Sequence, residues 1–281
     1  MKVAQAKRGL GQHFLESAWV RRLVQVIAPA PDDTFLEVGP GRGVLTCALA
    51  DAGARVVAVE LDRDLVEHLE AKVPARVTVV HADFLNTRIE DLPGFSDLPP
   101  GGLRVAGNLP YNVGSAILVK LLRFSRHHPC ARDAVVMLQR EVAERVTADP
   151  GSRDWGALAV VTSLHAEARM AMTVPAGAFR PMPKVTSAVV NLRFRPSPIV
   201  IRDQEMFDRL VRTIFTQRRK TALNAARRFV TDVTVVSPEV VFARAAVDPM
   251  VRPAKLGLPE LAALSDVISS SPRRRAPGAV L

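Results

Sequence analysis

The residues best equipped for chemistry stand together at Gly107-Asn108-Leu109-Pro110-Tyr111-Asn112, where the chain's one tyrosine follows a proline of fixed φ and a side-chain amide. The exocyclic amine of adenine is a poor nucleophile because its lone pair is delocalised into the ring. A site that accepts hydrogen bonds from both of its N–H groups, through the Asn108 side-chain oxygen and the Leu109 carbonyl, favours a pyramidal nitrogen and frees that lone pair. The Tyr111 ring would hold the base by stacking, worth about 1–3 kcal/mol. No general base is required, since the proton can leave once the nitrogen has become cationic. What remains is alignment of the reacting atoms at about 3–3.5 Å. Without a ligand, the same residues read as a strand-ending turn.

A second constellation lies upstream. Glu37-Val38-Gly39-Pro40-Gly41-Arg42-Gly43 closes an apolar run and opens a helix-like segment. Glycines such as Gly39 and Gly41 let the backbone approach a ligand, and the helix start offers free N–H groups. The spacing is G-x-G-x-G, with Val44 where a dinucleotide fingerprint wants its last glycine, which disfavours a nicotinamide-dependent oxidoreductase. Glu60, seventeen residues after Gly43, ends the next strand, where a carboxylate can accept from ribose hydroxyls. His81-Ala82-Asp83-Phe84 ends the third strand; Asp83 can accept from an adenine amino group, or else cap a turn, while Phe84 supplies an apolar wall.

These motifs need a scaffold that brings strand ends to one edge. Val-rich runs at 35–38, 56–59, 77–80, 103–106 and 134–138 alternate with helix-like segments at 44–52 and 64–72, which predicts an α/β fold with a mostly parallel sheet of about seven strands. Residues 187–194 alternate as a further strand, and 158–164 is an apolar run of either type. Arg195-Pro196-Ser197-Pro198 breaks regular structure, so the boundary is placed at 198/199, with a catalytic domain over 1–198 whose residues 1–30 form an arm or lid. Helical spacing then predicts a small all-helical domain over 199–281, ending in a frayed basic tail from Ser271 through Arg273, Arg274 and Arg275.

Composition narrows the class. The 281 residues are 48% hydrophobic with a net charge of +10. Fourteen Lys and Arg against eight Asp and Glu fall within 201–281, which points to an anionic macromolecular partner. The two cysteines, Cys47 and Cys130, have no metal-ligand spacing, so no zinc site or disulfide framework is expected and the chain is expected to work in the cytoplasm. No stretch has signal-peptide or membrane-span character.

The motif N-L-P-Y resembles the amine-methylating motif of S-adenosylmethionine-dependent N6-adenine methyltransferases, and the chain as a whole resembles the ribosomal RNA adenine dimethyltransferase family. Gly11-Gln12-His13-Phe14-Leu15, E-V-G-P-G-R-G at 37–43, V-E-L-D at 59–62, A-D-F at 82–84, G-N-L-P-Y-N at 107–112, L-Q-R-E-V-A at 138–143, Phe179-Arg180-Pro181-Met182-Pro183-Lys184-Val185 and Phe215-Thr216-Gln217-Arg218-Arg219-Lys220-Thr221 carry the likeness, in family order across nearly the whole chain. The resemblance implies a Rossmann-like class I fold and a cofactor site formed by His13, Leu15, Gly39, Gly41, Glu60, Asp83 and Asn108, taking S-adenosylmethionine and releasing S-adenosylhomocysteine. Position 13 often holds asparagine in the family, which leaves a side-chain contact from His13 open. Asn108, Leu109, Pro110 and Tyr111 are implied as the catalytic motif, and Phe179 as a second stacking face or, alternatively, the buried anchor of a Pro-rich loop.

Lys7, Arg8, Lys184, Arg218, Arg219, Lys220, Arg227 and Arg228 are the candidate RNA contacts, those from 218 onward expected on a helix. For the bacterial small-subunit branch the resemblance implies dimethylation of two adjacent adenosines in the 3′-terminal hairpin of 16S rRNA, by a monomer acting on an immature small subunit. The alternatives are the single-adenosine 23S rRNA enzyme of macrolide resistance, against which L-Q-R-E-V-A and G-x-x-x-W-G-A-L at 151–158 speak, and a noncatalytic assembly or transcription factor of the same fold.

Overall fold

In the computed structural model, described over residues 12–274, the alternating runs become strands β1 (Phe14–Leu15), β2 (Thr34–Val38), β3 (Arg55–Glu60), β4 (Val77–His81), β5 (Leu103–Asn108), β6 (Ala131–Gln139), β7 (Ala166–Val174), β8 (Phe179–Arg180) and β9 (Ser187–Phe194). The helices are α1 (Ser17–Ile27), α2 (Val44–Asp51), α3 (Arg63–Glu70), α4 (Gly114–His127), α5 (Arg140–Val146), α6 (Ala157–His165), α7 (Gln204–Thr216), α8 (Ala222–Val233), α9 (Pro238–Arg244) and α10 (Leu258–Ser270). They divide into two compact units. One runs to Thr147 and resumes over His165–Pro196; the other comprises Ala148–Leu164 and the chain from Ser197 onward.

The first unit holds a seven-stranded sheet of order β4-β3-β2-β5-β6-β9-β7. Its first five strands are parallel, and β9 and β7 complete it antiparallel. β3 (RVVAVE) and the middle of β6 (AVVML) are apolar runs because a strand covered on both faces carries an unbroken apolar run rather than an alternation. One face buries Phe35, Val56, Ala106, Val135 and Val189 against Val20, Leu23 and Ile27 of α1 and Leu45 and Leu49 of α2. The chain reverses its direction of travel across the sheet between β2 and β5, and it is outside the carboxyl ends at such a switch point that an open α/β sheet forms its crevice. A side chain at Gly107 would place its Cβ 2.7 Å from the Val38 carbonyl oxygen, so only glycine lets β5 lie this close to β2.

At the opposite ends of the strands a charge cluster fixes β2, β5 and β6. The Arg104 guanidinium is buried and donates to Asp33 Oδ2 (2.9 Å), Asp133 Oδ1 (2.9 Å) and the carbonyls of Ala28 and Ile27. Burial by itself would raise the Asp33 carboxyl, but the Ala30 N–H and the guanidiniums of Arg104 and Arg132 bring it net below its ordinary value.

The division of the chain corrects the sequence reading. Residues 148–164, assigned by position to the catalytic domain, belong to the second unit, because Trp155 is 1% exposed, donates Nε1–H to the Leu256 carbonyl (2.8 Å), and packs with Ala159, Val160 and Leu164 among Phe207, Leu210, Phe242 and Leu261. The ambiguous run at 158–164 is helical. Residues 271–274 are not frayed: Arg273 bridges Thr234, the Arg274 amide donates to the Val233 carbonyl, and Ser271 is buried. Arg275 and the rest of the tail, like Lys7 and Arg8, lie outside the described residues.

Replacing Arg104 by Met leaves the half-buried carboxylates of Asp33 and Asp133 with only the exposed Arg132 as cation and is expected to destabilise the first unit by at most about 3 kcal/mol in denaturant unfolding. Because the folded Asp33 carboxyl lies below its unfolded value of about 3.9, its contribution is complete above that pH and declines as pH falls through the folded value. Asp33→Asn should therefore be destabilised at pH 7 and show a shallower further loss on acidification than the wild type.

Candidate active site

The carboxyl ends of β2, β3, β4 and β5 converge on a cavity of about 220 Å³. Gly41 follows β2 at φ 60°, and its missing side chain leaves room for the Phe14 ring, which a Cβ would meet at 3.1 Å. The Gly41 amide donates to Glu60 Oε2 (3.1 Å), while the amides of Leu61 and Asp62 both donate to Glu60 Oε1 (2.9 Å each). Oε2 thus keeps acceptor capacity for a hydroxyl. Burial raises the Glu60 carboxyl, and the three amides offset part of that rise.

Beside it on β2, Glu37 is 1% exposed and its Oε2 has no partner. Burial, assisted by the charge of Glu60, pushes the Glu37 carboxyl up to about 8. Two acids therefore face one cavity, and at neutral pH Glu37 holds its proton.

After β4, Asp83 accepts the Leu85 amide on Oδ1 (2.9 Å) and the Asn86 side-chain amide on Oδ2 (2.8 Å). Asp83 thus caps a turn, and it lines the cavity together with Phe84 and Leu85.

β5 delivers the chemistry motif. Asn108 donates through Nδ2 to the His13 carbonyl (2.8 Å), which fixes the amide's orientation, and its Oδ1 is buried with no partner. Leu109 donates its N–H to the Met137 carbonyl, and its side chain is buried. The Pro110 ring packs at the Gly39 turn. The Tyr111 hydroxyl hydrogen-bonds the hydroxyl of buried Ser187, and its ring lies 5.2 Å from that of His13, tilted 31°. His13 Nδ1 bonds the Pro181 carbonyl (2.8 Å), so this one residue ties the amino-terminal segment to both the Asn108–Tyr111 turn and the Pro-rich loop. Gln12 donates to Asp62 (3.0 Å), and β1 pairs antiparallel with β8. Residues 12–15 are held over the glycine turn in this way.

His13, Leu15, Gly39, Gly41, Glu60, Asp83, Asn108, Leu109, Pro110 and Tyr111 all line this one cavity. Phe179 does not. It is fully buried, pairs with Leu15 across β1 and β8, and packs in the core under α1, so it is the buried anchor of the loop and not a stacking face. Lys184 is exposed on that loop between exposed Met182 and Val185.

In the second unit residues 217–220 form a turn between α7 and α8 rather than part of a helix. Arg218 donates to the carbonyls of Arg153 and Trp155, which makes it an anchor of residues 153–155. Arg227 pairs with Glu239 (2.8 Å), and Arg228, 91% exposed, pairs loosely with Asp232 (3.7 Å). Arg219 and Lys220 are exposed.

Sequence reasoning missed Glu37 as a buried acid, Ser187 as the partner of Tyr111, and Gln12. Only Glu37 carried a signal, a carboxylate within an apolar strand. Ser187 looks like any small strand residue.

A profile described as ribosomal RNA adenine dimethylase matches residues 3–239. The ribosomal RNA small subunit methyltransferase A of Acinetobacter baylyi is 39% identical over 266 residues, 93% of this chain and 92% of that protein. A dimethyladenosine transferase from Plasmodium falciparum superposes with a TM-score of 0.73 at 21% identity, over 90% of this chain and 96% of its own, a likeness of fold. The 23S rRNA methyltransferase ErmE gives 0.60 at 27% identity, over 92% and 100%.

The Glu37 carboxyl has a folded value near 8 against an ordinary 4.5. The folded state therefore binds the extra proton, and stability falls as pH rises between these values and levels off above about 8. Glu37→Gln should abolish this part of the slope, so that unfolding curves of variant and wild type diverge from pH 5 to 8 and run parallel beyond.

Proposed function

The chain belongs to the ribosomal RNA adenine dimethylase family, and from that membership we propose that it dimethylates N6 of two adjacent adenosines in the 3′-terminal hairpin of 16S rRNA. The observation that carries this reading is the Asn108 side-chain oxygen, buried without a partner at the rim of the cavity that also holds the Tyr111 ring. An unpaired buried acceptor costs about 1–3 kcal/mol unless a donor reaches it. The N6 amine of an adenine brings such a donor, and a second N–H for the Leu109 carbonyl.

The residues present fit S-adenosylmethionine. Gly39 and Gly41 leave the turn open to a close-lying ligand, Glu60 Oε2 retains acceptor capacity for a ribose hydroxyl, and the Asp83 carboxylate with the Phe84 ring suits an adenine. When bound, the cofactor supplies a methyl group activated on a sulfonium sulfur. The chain's own residues do the rest. Tyr111, anchored through Ser187, holds the target base by its face. Asn108, turned by the His13 carbonyl, accepts an amine hydrogen and concentrates the lone pair on nitrogen. Burial and the lid of residues 12–15 exclude water, which strengthens those hydrogen bonds.

The target adenosine must be unpaired or extruded to enter. Arg219, Lys220, Arg228 and Lys184, with Lys7 and Arg8, are proposed as phosphate contacts, supplying affinity without sequence choice. We place the reaction in the cytoplasm, by a monomer acting on an immature small subunit. No helix among the described residues is long and apolar enough to cross a membrane.

Purified protein, S-adenosylmethionine and immature small subunits should yield dimethyladenosine in mass spectra of digested RNA. Modification of large-subunit RNA alone, or none, would overturn the reading in favour of a 23S enzyme or a noncatalytic factor. Asn108→Ala should lower turnover more than 100-fold while RNA affinity stays within two-fold. Replacing Arg219 and Lys220 together by Ala should flatten the salt dependence of RNA binding by about two phosphates' worth.

A further inference from the structure

Lys120 lies in α4, the helix that begins two residues after the catalytic motif. Its side chain reaches to the turn after β4, where Nζ donates to the carbonyls of Phe84 (2.6 Å), Leu85 (3.0 Å) and Thr87. Nζ also stands 5.1 Å from the centroid of the Phe84 ring. An ammonium has three N–H donors, and here each has its own carbonyl. Such charge-assisted bonds are roughly twice as strong as neutral ones.

The turn so held presents the Asp83 carboxylate, the Phe84 ring and Leu85 to the cavity. Asp83 is itself fixed by the Leu85 amide and the Asn86 side chain, so its direction depends on the turn keeping its shape. Lys120 does not line the cavity, and its hydrogen bonds go to the turn after β4 rather than to the Asn108–Tyr111 motif. Its influence therefore passes to one end of the site only.

We propose that Lys120 is a positioning residue that sets the affinity for the adenine end of the cofactor by clamping the Asp83–Thr87 turn from behind. The inference rests on the reading of the cavity as an S-adenosylmethionine site. It adds a division of labour along α4: the start of the helix continues from the catalytic motif, and its second turn braces the nucleoside subsite. Charge alone is not sufficient. Three converging acceptors suit the three donors of an ammonium on a flexible stem, whereas the planar guanidinium of an arginine directs its donors as a flat fork.

Calorimetry on the full chain tests this without any transfer reaction. Lys120→Met, which keeps the apolar stem beside Phe84, is expected to raise the dissociation constants of S-adenosylhomocysteine and of adenosine by the same factor, about ten-fold. At saturating S-adenosylmethionine its turnover on small subunits should remain within two-fold of wild type, and amide hydrogen exchange should quicken over 84–87. Lys120→Arg, which keeps the charge and guards against a Met variant that does not fold, should show most of the same loss. Undiminished affinity in Lys120→Arg, or in a folded Lys120→Met, would overturn the proposal, as would a turnover at saturation that fell with the affinity. A wild-type chain that bound neither ligand would overturn the cofactor reading and the proposal with it, a failure recognisable before any substitution is made.

Discussion

Asn108 carries an amide whose two ends have different fates. The nitrogen is committed to the His13 carbonyl, and this bond dictates that the oxygen is the end buried beside the cavity without a donor. Much of the first unit serves to keep that arrangement. Gly107 lets β5 approach β2 so that Asn108 emerges at the switch point, β1 pairs with β8 so that His13 is in reach, and the His13 ring is held between the Pro181 carbonyl and Tyr111. A polar atom buried at a cost is tolerated where a ligand will satisfy it. In the proposed reaction that ligand is the target amine, and the hydrogen bond that would recognise it would also prepare it to react.

The glycine turn and the acids around it obey a related logic. Three backbone amides converge on Glu60, offsetting part of its desolvation, while Glu37 next to it has only the Thr46 side chain to lower it and keeps its proton near neutrality. One acid able to accept and one holding a proton can coexist in a narrow space where two full charges would repel.

In the second unit, charge and structure are less separable than composition suggests. Arg218 serves the fold by satisfying the carbonyls of residues 153 and 155, and Arg227 is partly neutralised by Glu239. Of the candidate phosphate contacts in that unit, Arg219, Lys220 and Arg228 are therefore the ones most open to solvent, and Arg202, Arg209, Arg212, Arg244, Arg252 and Lys255 are exposed besides. A count of Lys and Arg overstates the surface available to phosphate, because a guanidinium that pairs with carbonyls presents fewer donors outward.

By itself the sequence determined the α/β class, the seven-stranded sheet and the strand-end residues of the cavity at Gly39, Gly41, Glu60, Asp83 and Asn108 to Tyr111, because these follow from local signals: valine runs, glycine turns and polar residues at strand ends. The Rossmann-like geometry then had only one edge at which those strand ends could meet. What the tertiary structure alone decided were the relations between residues far apart in the chain. It moved 148–164 into the helical unit, since Trp155 needed the Leu256 carbonyl and a core that no local pattern reveals. It turned Phe179 from a stacking face into a core residue, because an aromatic beside prolines reads alike whether its ring points inward or out. It paired Tyr111 with Ser187 and set Lys120 behind the turn after β4, for hydrogen-bond partners across 76 and 36 positions leave no trace in spacing. Periodicity records which side of an element is buried, and only packing records what is buried against it.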